Sequence, residues 1–133
     1  MMPDTCKNPG NCDVILVEDD PTLKLVMGMQ LKSEDINFCS CSDGYTALEL
    51  IRSHHPRVLL LDVSLPGMSG FELVEKLRQD PELSHLTDMH LIVHTSHDLS
   101  ENDMKLLSFG QIQFLTKSKL ADELPVIVKK LLY

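Results

Sequence analysis

The sequence predicts an α/β fold, a five-stranded parallel sheet with helices on both faces. Three observations carry this prediction. Short apolar runs alternate with helical periodicities five times along the 133 residues. Two of the runs, Val14-Ile15-Leu16-Val17 and Val58-Leu59-Leu60-Leu61, contain no polar residue, as expected of strands covered on both faces. Caps and turn residues separate the runs where chain reversals are needed. The length suits a single core, so residues 13–133 read as one domain behind a polar leader, residues 1–12, that carries Pro3, Pro9 and Gly10.

After the first strand, Asp20 supplies an N-cap and Pro21 a first helical residue. Leu23, Val26, Met27 and Leu31 follow at helical spacing. Ile36 to Cys41 reads as the second strand, and Asp43 caps a helix that carries Ala47, Leu48 and Ile51 on one face and ends at Pro56. The third strand stops at Asp62. Pro66, Gly67 and Gly70 mark a loop, and Ser69 with Glu72 forms a capping box for a helix whose inner face carries Phe71, Val74 and Leu77. His90 to His94 is the fourth strand. Asp98 to Phe109 is expected to be helical, with Gly110 as its stop. Ile112 to Leu115 is the fifth strand. Leu120 to Leu132 is the last helix, with Leu124, Ile127, Val128 and Leu131 inward and Pro125 near its first turn.

Composition narrows the function classes. A formal net charge of -8 repels phosphate backbones and anionic lipid, which argues against direct nucleic-acid or membrane binding. No apolar run reaches the roughly 18 residues of a membrane span. The N-terminus lacks the apolar core of a secretory signal, so the expected location is the cytoplasm, with the cysteines reduced. The four cysteines, Cys6, Cys12, Cys39 and Cys41, do not have the spacing of a zinc knuckle and read as two leader thiols and two small strand residues.

In a doubly wound sheet, ligands gather at the C-terminal ends of the strands. Those positions hold Glu18, Asp19 and Asp20 after the first strand, Asp62 after the third, Thr95 and Ser96 after the fourth, and Lys117 after the fifth. Carboxylates placed this close raise one another's proton affinity. A divalent cation removes that penalty, and hard oxygen donors suit Mg²⁺. A carboxylate beside Mg²⁺ can attack phosphorus, while a lysine and a hydroxyl hold the remaining phosphoryl oxygens.

Four blocks then resemble the signatures of two-component response-regulator receiver domains: Val17-Glu18-Asp19-Asp20, Leu60 to Gly70, His94-Thr95-Ser96 and Phe114-Leu115-Thr116-Lys117. The resemblance runs from about Asp13 to Tyr133 and implies a flavodoxin-like (βα)5 arrangement. It implies that Asp62 is the phosphoacceptor, that Glu18, Asp19 and Asp62 hold Mg²⁺ together with the Ser64 backbone carbonyl, and that Lys117 and Thr95 contact the phosphoryl group. Thr95 and Phe114 are implied as the switch pair. The implied partners are a histidine kinase or histidine phosphotransfer protein as donor and an unidentified downstream protein. A homodimer surface is implied on the fourth helix, fifth strand and fifth helix.

Three positions depart from the family pattern. Ser118 stands where a proline usually follows the lysine, Phe114 lacks the hydroxyl of the commoner tyrosine, and His94 replaces a plain hydrophobe. The Ser118 departure is expected to alter the path into the last helix. His94 is expected to be partly buried and hydrogen-bonded, and His94 or His97 is a candidate for tuning phosphoryl lifetime.

The reading is therefore a signalling module rather than an enzyme. A haloacid-dehalogenase-type phosphatase needs a second aspartate two residues after the nucleophile, where this chain has Ser64. A flavodoxin needs a hydroxyl-rich loop where this chain is acidic. A receiver that works as a phosphorylation-independent scaffold, or as a module of a larger regulator or hybrid kinase, remains the alternative reading.

Overall fold

A computed structural model describes residues 12–84, 88–95 and 98–133. The leader up to Asn11, with Cys6, lies outside the described residues, as do Ser96 and His97. The elements run β1 (Val14–Val17), α1 (Pro21–Ser33), β2 (Phe38–Cys41), α2 (Gly44–His54), β3 (Val58–Asp62), α3 (Gly70–Gln79), β4 (His90–Thr95), α4 (Glu101–Leu106), β5 (Gln111–Thr116) and α5 (Lys117–Leu132). All strand pairs are parallel, in the order β2-β1-β3-β4-β5. The order reverses at β1, and the cleft there is bounded by β1 and β3.

Side chains alternate between two cores. Ile15, Leu59, Leu61, Leu91 and Val93 pack with α2 and α3. Val14, Leu16, Leu60 and Ile92 pack with α1 and α5. β1 and β3 are buried at every position, as their uninterrupted apolar runs require. β5 is an edge strand and stays half exposed.

The local signals behave as their chemistry dictates. Asp20 Oδ1 accepts from the Thr22 and Leu23 N–H groups, and both halves of the Ser69–Glu72 capping box form. A Cβ on Gly70 would sit 2.9 Å from the Val63 Cα, so only glycine lets α3 start this close to β3.

Four expectations are corrected. Val26 is 41% exposed; Met27 and Leu31 carry the buried face of α1. α4 is only six residues long, because Ser100 caps it in a box with Asp103 and its chain leaves the helix at Leu107. Leu107 and Phe109 are buried beyond its end, and Gly110 (φ 64°) serves the turn into β5 instead. α5 begins directly after β5, so no loop follows Lys117, and Pro125 lies inside the helix rather than in its first turn.

The fourth correction concerns cysteine. Cys12 and Cys39 are joined as a disulfide with Cα atoms 6.3 Å apart. Cys39 pairs in register with Ile15, which turns its side chain toward α2, and the chain entering β1 brings Cys12 to the same place. Cys41 remains a buried thiol whose Sγ lies 3.7 Å from the Asp43 carbonyl.

Candidate active site

The C-terminal ends of β1, β3, β4 and the start of α5 bring Glu18, Asp62, His94, Thr95 and Lys117 together. Glu18 and Asp62 have 0% and 1% of their surface exposed. Lys117 Nζ bridges them, 3.2 Å from Asp62 Oδ2 and 3.3 Å from Glu18 Oε1. The Ser64 N–H donates to Asp62 Oδ1 at 3.0 Å, which fixes the carboxylate against the first residues of the loop. Thr95 is buried next to this group, while Asp19 and Ser64 are exposed at its rim.

His94 belongs to the site as fully as any acid. Its Nε2 is 2.9 Å from Glu18 Oε1, and it is completely buried rather than partly so. β4 pairs with β3 so that His94 is the register partner of Asp62. The sequence signal for this is a polar residue closing an otherwise apolar strand beside the acidic end of its neighbour. Glu18 Oε2 accepts the Asp20 N–H at 3.0 Å, so both oxygens of Glu18 are engaged by the protein.

Electrostatics follow from burial. Burial would raise the Glu18 carboxyl, but hydrogen bonds from His94 and the Asp20 N–H outweigh it and hold it at about 2. Asp62 has fewer donors. Burial and then the adjoining Glu18 carboxylate push it up to about 7, against the pull of the Ser64 N–H and Lys117. Burial holds the His94 imidazole below its ordinary value despite Glu18. His94 is therefore a neutral donor to Glu18, and the contact is a hydrogen bond to a carboxylate rather than an ion pair. Partial burial opposes the charge on Lys117, but Asp62 and Glu18 outweigh it and raise the amine.

Ligand atoms of Glu18, Asp62 and His94 all lie within 4.8 Å of one another, but the Nε2 proton of His94 is given to Glu18, so the carboxylates rather than the imidazole would face a cation. Among the described residues Lys117 is the one cation in contact with this acidic pair, and burial together with Glu18 keeps the proton affinity of Asp62 high. A hard divalent cation fits this chemistry. Phe114 is half-buried against the core on the α3 side, and Thr95 pairs in register with Thr116 two residues beyond it.

A sequence profile described as the response regulator receiver domain matches residues 14–129. The chain belongs to this family. It is 31% identical over 119 residues to the probable transcriptional regulatory protein TcrX of Mycobacterium tuberculosis, covering 90% of this chain and 49% of that protein. It therefore spans about half the length of that relative. Among solved structures it resembles the Francisella response regulator 1452 receiver domain, with a TM-score of 0.76 and 26% identity over 91% of this chain and 96% of that one. The receiver domain of sensor histidine kinase PA1611 from Pseudomonas aeruginosa shares the fold, with a TM-score of 0.74 and 22% identity over 90% of this chain and 96% of that one. That structure has a magnesium ion coordinated in its active-site cleft. The chain is thus a receiver domain of the two-component type, and no helix among its described residues is long and apolar enough to cross a membrane.

Proposed function

We propose that Asp62 accepts a phosphoryl group from the phosphohistidine of a histidine kinase or phosphotransfer protein, and that the modified domain binds a downstream protein. The observation that carries this is a buried carboxylate at the end of the central strand β3 whose Oδ2 is held 3.2 Å from Lys117 Nζ. Ionised Asp62 attacks phosphorus, an Asp62 oxygen–phosphorus bond forms, and the phosphorus–nitrogen bond of the donor breaks. Lys117 moves its contact from the carboxylate to a phosphoryl oxygen, and the Thr95 hydroxyl approaches another.

Asp19 and Asp62 would supply carboxylates to Mg²⁺, with the Ser64 carbonyl beside them. Glu18, whose oxygens are already engaged, would act from behind through water. When bound, Mg²⁺ neutralises charge on the transferring group. The PA1611 receiver supports this choice of ion.

Output runs through the α4–β5–α5 face. Movement of Thr95 and Phe114 would reshape it, and Met104, Leu106 and Val126 are exposed there for a partner or a second copy. Residues 13–133 form the working domain. The acidic surface argues against direct contact with nucleic acid or anionic membranes, and a cytoplasmic setting fits a kinase donor.

The test is intact mass after incubation with Mg²⁺ and acetyl phosphate. A gain of one phosphoryl group, absent from Asp62→Asn, is expected. No gain in a folded sample, with acetyl phosphate and then with a histidine phosphotransfer protein as donor, would turn the reading to a scaffold that works without phosphorylation.

A further inference from the structure

The opposite end of β1 from Glu18 holds a second group of reactive side chains. Cys12 lies just before β1, Cys39 is in the edge strand β2, and His54 is at the end of α2. The two cysteines are 1% and 0% exposed and paired as a disulfide across a sequence separation of 27. His54 Nε2 stands 3.8 Å from Cys39 Sγ. Ligand atoms of all three lie within 4.8 Å of one another.

Two chemistries fit two sulfurs and an imidazole. A structural zinc ion takes four protein donors. Among the described residues only these three are grouped here, and the sulfurs face each other directly. The arrangement favours bond formation between the sulfurs over a shared metal.

We propose that Cys12 and Cys39 form a reversible thiol–disulfide pair, with His54 as the base that takes and returns the Cys39 proton. The pair is independent of the phosphoacceptor chemistry. Its oxidant is a low-molecular-weight disulfide such as glutathione disulfide. Local opening at the entry to β1 makes Cys12 reachable, and its thiolate attacks one glutathione sulfur, forming a mixed disulfide and releasing one glutathione, which takes the Cys12 proton. Cys39 then gives its proton to His54, and its thiolate attacks the Cys12 sulfur. The Cys12–Cys39 bond forms, and the second glutathione leaves as thiolate and takes a proton. Two protein thiols and one glutathione disulfide become one protein disulfide and two glutathione thiols.

Oxidation ties the chain entering β1 to the edge strand. The tie closes a loop containing β1 and α1, so the oxidised form unfolds at higher temperature than the reduced form. Cys41, buried and held at the Asp43 carbonyl, takes no part.

The experiment equilibrates the whole chain at a series of ratios of reduced to oxidised glutathione, traps thiols with iodoacetamide and maps the peptides. Cys12 and Cys39 are expected to convert together in one two-electron transition, giving a Cys12–Cys39 cross-linked peptide, with Cys41 alkylated only after unfolding. A folded Cys12→Ser variant is expected to lose that peptide and the gain in melting temperature. His54→Gln is expected to slow exchange several-fold while leaving the midpoint ratio nearly unchanged, which a packing role alone would not do. The proposal is overturned if folded protein gives no Cys12–Cys39 peptide at the most oxidising ratio or cross-links Cys6 instead. Stoichiometric zinc binding that protects both thiols from alkylation would also overturn it, in favour of a metal site.

Discussion

His94 Nε2 and Glu18 Oε1 meet at 2.9 Å with neither side chain reaching solvent. A histidine in an apolar strand would ordinarily cost stability. Here it is the donor that lets Glu18 stay ionised inside the protein. The cost is visible in His94 Nδ1, which is buried without a hydrogen-bond partner among the described residues.

His94→Leu tests this balance. Leucine fits an apolar strand and removes the unpartnered nitrogen, but it leaves a buried carboxylate with one donor fewer. The net loss at pH 7 is expected to be about 1 kcal/mol, below the full cost of an unsatisfied buried group. Glu18, with its folded proton affinity depressed, contributes stability above 4.5 that fades as pH falls toward 2. His94, also depressed, contributes stability above 6.5 that is lost as the pH drops and the unfolded chain takes up the proton. Both effects favour wild type at neutral pH only. Urea denaturation without metal should show wild type more stable at pH 7 and the order reversed by about pH 4. A variant less stable by the same amount at both pH values would refute the hydrogen bond as the cause.

Asp62→Asn should separate from wild type in the other direction. Asp62 is raised from 3.8 to about 7, so its neutral form favours folding below 3.8 and that contribution is lost as pH rises toward 7. At about pH 3.5, where the carboxyl is protonated in both folded and unfolded chains, the two proteins are expected to be nearly equal. At pH 8 wild type holds a buried charge, and Asn is expected to be more stable by about 2 kcal/mol, roughly half of what three pH units would give in full. His94 titrates in both proteins, so it cancels in the difference. Adding Mg²⁺ at pH 8 should narrow the gap by stabilising wild type alone. Urea midpoints at the two pH values, with and without Mg²⁺, decide it.

Arg78 holds the end of α4. Its guanidinium donates to the carbonyls of Leu106 and Ser108, both at 2.7 Å, and to that of Lys105 at 3.3 Å. α4 has no buried residue of its own, so these bonds and the Ser100–Asp103 box are its main anchors. Arg78→Ala is expected to cost about 1 kcal/mol overall, discounted for the exposure of the guanidinium. Amide exchange should rise at least tenfold over Glu101–Leu106 while β1 and β3 keep their protection. Uniform loss of protection across the domain would rule out a local anchor.

Sequence legibility tracked how local each cause was. The apolar runs of β1 and β3 and the caps Asp20, Asp43 and Ser69 depend on neighbours within a few residues, and each appeared as expected. The gathering of Asp62 and Lys117 was legible because parallel topology alone brings strand ends together. The length of α4 was not, since its end is set by Arg78, 27 to 30 residues away in the chain. The His94–Glu18 bond spans 76 residues and the Cys12–Cys39 pair depends on strand register, so neither is written in spacing.

Pro125 offers a last test, because α5 accepts a residue that should break it. The helix runs from Lys117 to Leu132 through the proline, flanked by buried Leu124 and Val128. Proline in a helix interior lacks one backbone donor and crowds the preceding turn, at a cost of about 3 kcal/mol. Packing of α5 on the α1 side of the sheet holds the helix together against that cost. Pro125→Ala restores the donor and relieves the crowding, but the unfolded chain gains freedom worth up to about 1 kcal/mol. The variant is expected to be more stable by about 1 to 2 kcal/mol, read as a shift in the urea midpoint with an unchanged slope. If stability falls instead, the proline sets a bend that the contacts of Leu124 and Val128 require, and α5 is shaped by its kink rather than strained by it.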